Sequence, residues 1–165
     1  MLQHKSMKTI SSRNNPYIKF IRSLRNKKGR DQSRKFYIEG ILQVSEALRS
    51  NFPLESVIYS PDLLTSQYGK NITELAQEKE VEVIRVTPDV FKGLSLKDGP
   101  QGIAAVGIQQ WVELSSLAKM DGIWLAVENI QDPGNLGSIL RSLNGVGGKG
   151  VILLGDSTDP YHPTA

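Results

Sequence analysis

Apolar residues occur along this chain either in short runs or in helical stripes, and the two patterns alternate. Residues 81–86 alternate apolar and charged side chains, which predicts a half-buried strand. Residues 122–127 and 150–154 are continuous apolar runs, which are typical of buried strands. The predicted strands are residues 36–39, 54–59, 81–86, 102–108, 122–127 and 150–154. The predicted helices begin at Pro16 and Pro133 or span residues 40–50, 71–79 and 88–94. This order predicts an α/β layer sandwich with some parallel pairing.

The polar stretches between these elements predict loops. Residues 27–34 are Lys-Lys-Gly-Arg-Asp-Gln-Ser-Arg, and we expect an exposed loop there. Residues 95–101 form a second polar loop by the same criterion. Residues 109–120 are a candidate linker, because the first series of strands and helices ends before them and a second apolar series follows.

The second series predicts a strand–turn–helix–strand unit with polar side chains gathered at the turn. Asp132 can cap a helix whose first position is Pro133. Apolar residues at 136, 139, 140 and 143 follow at helical spacing and define its buried face. Asn135 and Arg141 lie outside that stripe. Open α/β sheets bind ligands at such turns, so these side chains are candidates for chemistry.

Charge is distributed very unevenly along the sequence. Residues 1–35 contain eleven Lys and Arg but one acid, Asp31, for a net charge of +10. The remaining residues contain nine bases and sixteen acids, for a net charge of −7. A basic segment on an acidic body indicates a polyanionic partner such as RNA. The alternative is a solvated N-terminus that is merely rich in lysine.

Composition excludes several classes of protein. The sequence has no cysteine, so disulfides and thiolate metal sites are excluded. The two histidines, His4 and His162, are too isolated to suggest a metal site, and we expect no metal. The first ten residues lack the apolar core of a signal peptide, and no run is long enough to cross a membrane. We therefore expect a cytoplasmic protein without a membrane partner.

A specific motif occupies residues 129–142: Asn-x-x-Asp-Pro-x-Asn-x-Gly-x-Ile-x-Arg-Ser. It resembles the first signature motif of the SpoU/TrmH family, the RNA ribose 2′-O-methyltransferases of the SPOUT class. Phe36-Tyr-Ile-Glu-Gly40 and Pro100-Gln-Gly-Ile-Ala-Ala-Val106 resemble two stretches of that family's N-terminal substrate-binding domain. That domain is similar to the RNA-binding fold of certain ribosomal proteins.

The resemblance implies an enzyme that transfers a methyl group from S-adenosylmethionine to RNA. Asn135 and Arg141 match motif positions and are the expected catalytic residues. The weaker expected RNA-binding residues are Arg22, Arg25, Lys27, Lys28, Arg34, Phe36 and Glu39. The implied domains are a basic extension and helix (residues 1–30), an RNA-binding domain (31–108), the linker (109–120) and the beginning of a SPOUT domain (121–165).

The chain departs from the family pattern after residue 159. Asp159-Pro-Tyr-His-Pro-Thr-Ala165 resembles the start of the second family motif, and the rest of that motif and the third motif do not follow. We therefore expect an N-terminal portion of a longer enzyme, with the cofactor-binding residues beyond Ala165 and little activity of its own. By analogy with the family we expect ribosomal RNA as substrate and a homodimer for the complete enzyme.

Two other functions stay open from the residues alone. One is a non-enzymatic RNA-binding module. The other is a nucleotide-binding α/β protein that uses Gly134-Asn-Leu-Gly137 as a phosphate loop. This second alternative is weak, because a P-loop places Lys-Ser/Thr after its last glycine and here Ser138-Ile139 follows.

Overall fold

The computed structural model describes residues 9–117 and 121–165 of the chain. They divide into two compact units, of which the first ends at Ile108 and the second begins at Gln109. The first eight residues of the predicted basic extension, with His4, lie outside the described residues, as do residues 118–120 of the predicted linker.

The first unit is built on a five-stranded mixed sheet. Its strands are β1 (Thr9–Ile10), β2 (Lys35–Glu39), β3 (Leu54–Tyr59), β4 (Glu82–Val86) and β5 (Ile103–Ile108). The order across the sheet is β1-β4-β3-β5-β2. The pairs β1–β4 and β4–β3 are parallel, whereas β3–β5 and β5–β2 are antiparallel. The predicted mixed α/β class with some parallel pairing is therefore confirmed.

The helices of the first unit cover both faces of this sheet. They are α1 (Pro16–Ser23), α2 (Lys27–Ser33), α3 (Ile41–Arg49), α4 (Gln67–Glu78) and α5 (Pro88–Leu94). Successive residues of a strand point to opposite faces. Accordingly Val57 packs in a cluster with residues of α3 and α4, and its neighbour Ile58 packs in a cluster with residues of α1 and α5. The first unit is therefore an α/β sandwich with a core on each side of the sheet.

The basic N-terminal segment is integrated into this unit from Thr9 onward. Strand β1 pairs with β4, which places Ile10 opposite Val86. The predicted apolar stripe of α1 is buried, with Ile18 and Leu24 fully inaccessible to solvent. The positive charges of α1 and α2 are consequently carried by ordered helices.

The predicted loop at residues 27–34 is wrong, because the structure has helix α2 there. The helix has no apolar stripe that periodicity could detect. Its buried residue is Arg30, which is 1% exposed and donates hydrogen bonds to the carbonyl oxygens of Leu24 (2.8 Å) and Arg25 (2.9 Å). These carbonyls follow the end of α1, so the charged side chain of Arg30 joins the two helices.

The second unit contains a parallel β–α–β arrangement, as predicted. Its elements are α6 (Leu114–Leu117), β6 (Trp124–Glu128), α7 (Pro133–Gly145) and β7 (Gly150–Leu154). Strands β6 and β7 pair in parallel with Trp124 opposite Gly150. Leu136 and Leu143 of the predicted stripe are buried. The turn between β6 and α7 thus lies at the carboxyl end of a parallel pair.

Candidate functional site

Asn129 organises the turn that follows β6. It has a left-handed backbone, with φ of 54°, and its N–H donates to the carbonyl oxygen of Leu154 at 3.1 Å. Its side-chain Oδ1 accepts a hydrogen bond from the N–H of Asp156 at 2.9 Å. Asparagine tolerates this conformation better than most residues, since its short polar side chain can bond locally. The first residue of the motif therefore ties the ends of β6 and β7 together.

The start of α7 is fixed by its cap. Oδ1 of Asp132 accepts a hydrogen bond from the N–H of Asn135 at 2.7 Å, and Pro133 occupies the first turn. The capping role predicted for Asp132 and Pro133 is therefore confirmed. The cap uses the main-chain N–H of Asn135 and leaves its side chain unused. That side chain is exposed.

Gly137 lets the end of the chain approach α7. It is buried, and a Cβ built on it would lie 2.4 Å from the carbonyl carbon of Ala165. The segment that leads to Ala165 is also held at Tyr161. The Tyr161 hydroxyl donates to the carbonyl oxygen of Gln110 and accepts from the N–H of Gln110, both at 2.7 Å. Ala165 therefore packs against the first half of α7, and Tyr161 is held by Gln110.

Asn135 and Arg141 are exposed on α7, six positions apart. Neither side chain makes a hydrogen bond or ion pair to the part of the chain that the structure describes. Ser142, the last residue of the motif, donates from Oγ to the carbonyl oxygen of Ser138 at 3.1 Å, so its hydroxyl proton is used within the helix. The amide of Asn135 and the guanidinium of Arg141 are thus both available to a ligand.

The polar groups described at the turn of the second unit do not by themselves identify a site for S-adenosylmethionine. A cofactor with an adenosine and an amino-acid end needs hydrogen-bonding groups that are not already satisfied. At the carboxyl ends of β6 and β7, the Asn129 side chain bonds Asp156, Asp132 caps α7, and the N–H of Ile130 donates to Oγ of Ser157.

Several basic residues of the first unit are engaged with the protein itself. Arg25 donates from Nη2 to the carbonyl oxygens of Gly93 (2.9 Å), Leu94 (2.9 Å) and Ser95 (3.2 Å), at the end of α5. Arg22 donates to the carbonyl oxygen of Arg13, and Lys27 forms an ion pair with Asp31 on the same helix. Arg25 therefore has a structural role, which competes with the RNA-binding role predicted for it.

Three other basic side chains of this unit, Lys19, Lys28 and Arg34, are exposed. None of the three has a hydrogen bond or ion pair to the residues that the structure describes. Arg34 follows α2 in a left-handed conformation, with φ of 56°, which ends the helix and starts β2. These are the charges best placed to meet an anionic partner.

Glu39 and Phe36 have contacts within the first unit. The Glu39 carboxylate accepts from Oγ of Ser95 (2.5 Å) and from the N–H of Leu96 (2.9 Å), and the residue is 9% exposed. It fixes the loop after α5 to the end of β2. The half-buried Phe36 ring meets Phe52 edge-on, with centroids 5.8 Å apart. RNA contact by these two residues stays a prediction.

The first unit also has two surface hollows that the sequence analysis missed. One lies between α1 and α2 and is lined by Phe20, Ser23, Asn26, Lys28, Gly29, Gln32 and Ser33. The other lies beside α3, where Arg49 stands over the Tyr68 ring. The first could not be found from the sequence, because it depends on α2 being a helix.

No helix within residues 9–117 and 121–165 is long and apolar enough to cross a bilayer. In the same residues, no three histidine or acidic side chains are grouped so that they could hold a metal ion.

Comparison with known proteins relates both units to RNA methyltransferases. A family model described as the MRM3-like substrate binding domain matches residues 15–105. The 23S rRNA (guanosine(2553)-2′-O)-methyltransferase RlmP of Bacillus subtilis is 31% identical over 154 residues, which cover 92% of this chain and 56% of that protein. The 23S rRNA (uridine(2479)-2′-O)-methyltransferase of Streptomyces viridochromogenes is 27% identical over 156 residues, or 93% of this chain and 53% of that protein.

Solved structures give the same relationship. An rRNA methyltransferase from Sinorhizobium meliloti superimposes with a TM-score of 0.79 at 28% identity, covering 96% of this chain and 59% of that one. The AdoMet-bound form of an rRNA methyltransferase from the same organism gives a TM-score of 0.78 at 29% identity, covering 94% and 57%. The chain therefore spans about half the length of the curated relatives it matches.

The mixed α/β fold and the motif on α7 define a protein of the SpoU/TrmH type, and the resemblance given above is confirmed. The chain belongs to the family of the MRM3-like substrate-binding domain.

Proposed function

We propose that this chain supplies the RNA-binding unit and the motif helix of an S-adenosylmethionine-dependent ribose 2′-O-methyltransferase that acts on ribosomal RNA. The observation that carries the proposal is α7, which begins at the carboxyl end of a parallel strand pair and leaves Asn135 in its first turn and Arg141 further along the helix exposed. The ribosomal substrate is inferred from the printed names of the relatives. The proposal includes a cytoplasmic location, no membrane partner and a homodimeric complete enzyme.

Methylation of a ribose requires that the 2′-hydroxyl lose its proton while negative charge develops on its oxygen. S-adenosylmethionine would supply the methyl group. The Asn135 amide can both donate and accept, so it can orient a ribose hydroxyl or a phosphate oxygen. The Arg141 guanidinium can hold a phosphate with paired donors or stabilise the developing oxyanion.

Arg141 is a poor candidate for the base that removes the proton. A guanidinium stays protonated in proteins, since the pKa of arginine is above about 12. We therefore propose electrostatic stabilisation by Arg141, with the hydroxyl proton passing to another group or to water.

The test is transfer of radiolabelled methyl groups by the protein as cells produce it. Large-subunit rRNA and tRNA are offered in parallel, each isolated from cells that lack the gene. We expect label in the rRNA at one nucleotide, located by nuclease resistance of the 2′-O-methylated linkage. Label in tRNA alone would refute the ribosomal substrate, and RNA binding without label would favour the non-enzymatic module.

A further inference from the structure

We propose that the hollow between α1 and α2 binds one unpaired nucleotide of the RNA, with its base against Phe20 and its phosphate near Lys28. The hollow has a volume of about 350 Å³, which is within the range of about 300–1,000 Å³ typical of small-ligand clefts. The inference rests on the proposed function to the extent that the first unit must bind RNA.

The shape of the hollow follows from a close approach of two helices. A Cβ on Gly29 would lie 2.2 Å from the carbonyl oxygen of Ser23, so α2 can sit this near α1 only with glycine at that position. Phe20, half-buried, lines the space that is left. Nζ of Lys35 lies 5.4 Å from the centroid of the Phe20 ring and is ion-paired with the Glu55 carboxylate.

The polar groups of the hollow divide into engaged and available ones. Oγ of Ser23 donates to the carbonyl oxygen of Phe20, and Oγ of Ser33 donates to that of Gly29. In contrast, Asn26 makes no side-chain cap to α2, and neither Asn26 nor Gln32 has a side-chain hydrogen bond to the described residues. Both side chains are exposed at the rim. Two amides that can each donate and accept suit the edge of a nucleobase.

The charge around the hollow favours a nucleotide over a neutral ligand. Lys28 is part of its lining, and Lys19 and Arg34 are exposed on or next to the same two helices. Unpaired nucleotides are commonly bound by an aromatic ring that packs on the base together with cations that meet the phosphates. An aromatic side chain, free amides and available cations occur together here.

The experiment measures binding of fluorescently labelled decauridylate and decaadenylate to the 165-residue chain by anisotropy, over a series of salt concentrations. The test variants are Phe20→Leu, Gln32→Ala and Lys28→Ala. Leucine keeps apolar volume at a position that packs against the core, and circular dichroism verifies that each variant is folded. The matched controls are Tyr68→Leu in the other hollow and Lys70→Ala, an exposed lysine of α4.

We expect Phe20→Leu to weaken binding roughly 5-fold or more without changing the salt dependence, because base stacking is lost. Lys28→Ala should make the log–log salt slope shallower by about 0.7, and both controls should bind within about twofold of the wild type. Gln32 is exposed, so we expect Gln32→Ala to leave the fold intact. This variant should weaken binding to at least one of the two oligonucleotides.

Two results would overturn the inference while leaving RNA binding intact. In one, Phe20→Leu and Gln32→Ala both bind the oligonucleotides as tightly as the wild type. In the other, the affinity is lost in Tyr68→Leu instead. If the wild-type chain bound neither oligonucleotide, the hollow and the RNA-binding part of the proposed function would both fail.

Discussion

Arg25 and Lys28 lie three residues apart in the basic segment, and the structure predicts opposite consequences for their removal. Arg25→Ala removes a charged donor from three carbonyl oxygens at the end of α5, at 2.9, 2.9 and 3.2 Å. A hydrogen bond to a charged group contributes about 1.5–3 kcal/mol, and water can partly replace the donor because Arg25 is half-buried. A cation at a helix C-terminus adds about 0.3–1 kcal/mol. We expect the free energy of unfolding to fall by about 2 kcal/mol.

Lys28→Ala is the matched control, because Lys28 is exposed and its side chain has no hydrogen bond or ion pair to the described residues. Its effect on stability should stay within about 0.5 kcal/mol. Urea unfolding followed by circular dichroism separates the two, since 2 kcal/mol corresponds to a midpoint shift of roughly 1 M. RNA affinity should show the reverse order. Lys28→Ala should bind RNA more weakly than the wild type, and folded Arg25→Ala should bind it with near wild-type affinity. A stable Arg25→Ala variant with reduced RNA affinity would refute this reasoning and make Arg25 a phosphate ligand.

The remaining predictions concern catalysis, salt, the end of the chain and pH. In the complete enzyme Arg141→Ala should reduce methyl-transfer turnover roughly 10²-fold or more with the fold intact, and Arg141→Lys should also be poor; near-normal turnover would make Arg141 a solvated charge. If about five phosphates are contacted, affinity for single-stranded RNA should fall with a log–log salt slope of about −3 to −4, and a slope near zero would contradict this. Gly137→Ala should displace residues 159–165 and speed chymotryptic cleavage after Tyr161, whereas Gly145→Ala, where a Cβ meets nothing within 4 Å, should not. Burial raises the pKa of Tyr17 and of Tyr37, so the folded state keeps phenolic protons that the unfolded state loses near about pH 10. The resulting stabilisation is complete below about pH 10 and declines above it. Equal urea midpoints at pH 8 and pH 11 would exclude this effect.

The parts of the fold that sequence predicted correctly are those where local chemistry and burial agree. At α7 the cap residue, the proline and the apolar stripe all indicate a helix from Pro133, and the helix begins there. Strand β4 was marked by an alternating pattern and β7 by an apolar run, each within one residue of its observed bounds, although β7 is half-exposed where a buried strand was predicted.

The parts that sequence missed are those where tertiary contacts replace an apolar pattern. Helix α2 buries an arginine, which no hydrophobic stripe could reveal. Strand β1 has two residues and exists through its pairing with β4, so it is too short for periodicity. Helix α4 begins at Gln67, four residues before the predicted start, because Ser66 caps it through the N–H of Gly69.

The sequence predicted the candidate site residues more completely in the second unit than in the first. In the second unit the motif indicated Asn135 and Arg141, which are exposed on α7, because helical spacing alone places them outside the apolar stripe. In the first unit, net charge indicated the basic segment but could not separate Arg25, which bonds the main chain, from Lys28, which does not. That distinction depends on where α5 ends in space, and the sequence of the basic segment carries no information about it.

The most direct test of the proposed function is a map of ribose 2′-O-methylation across all rRNA of cells that carry or lack the gene. The account predicts that deletion removes the methyl group from one large-subunit nucleotide, that the wild-type gene restores it, and that a gene with Arg141→Ala does not restore it at equal protein level. Identical maps with and without the gene, or full restoration by Arg141→Ala, would contradict the account.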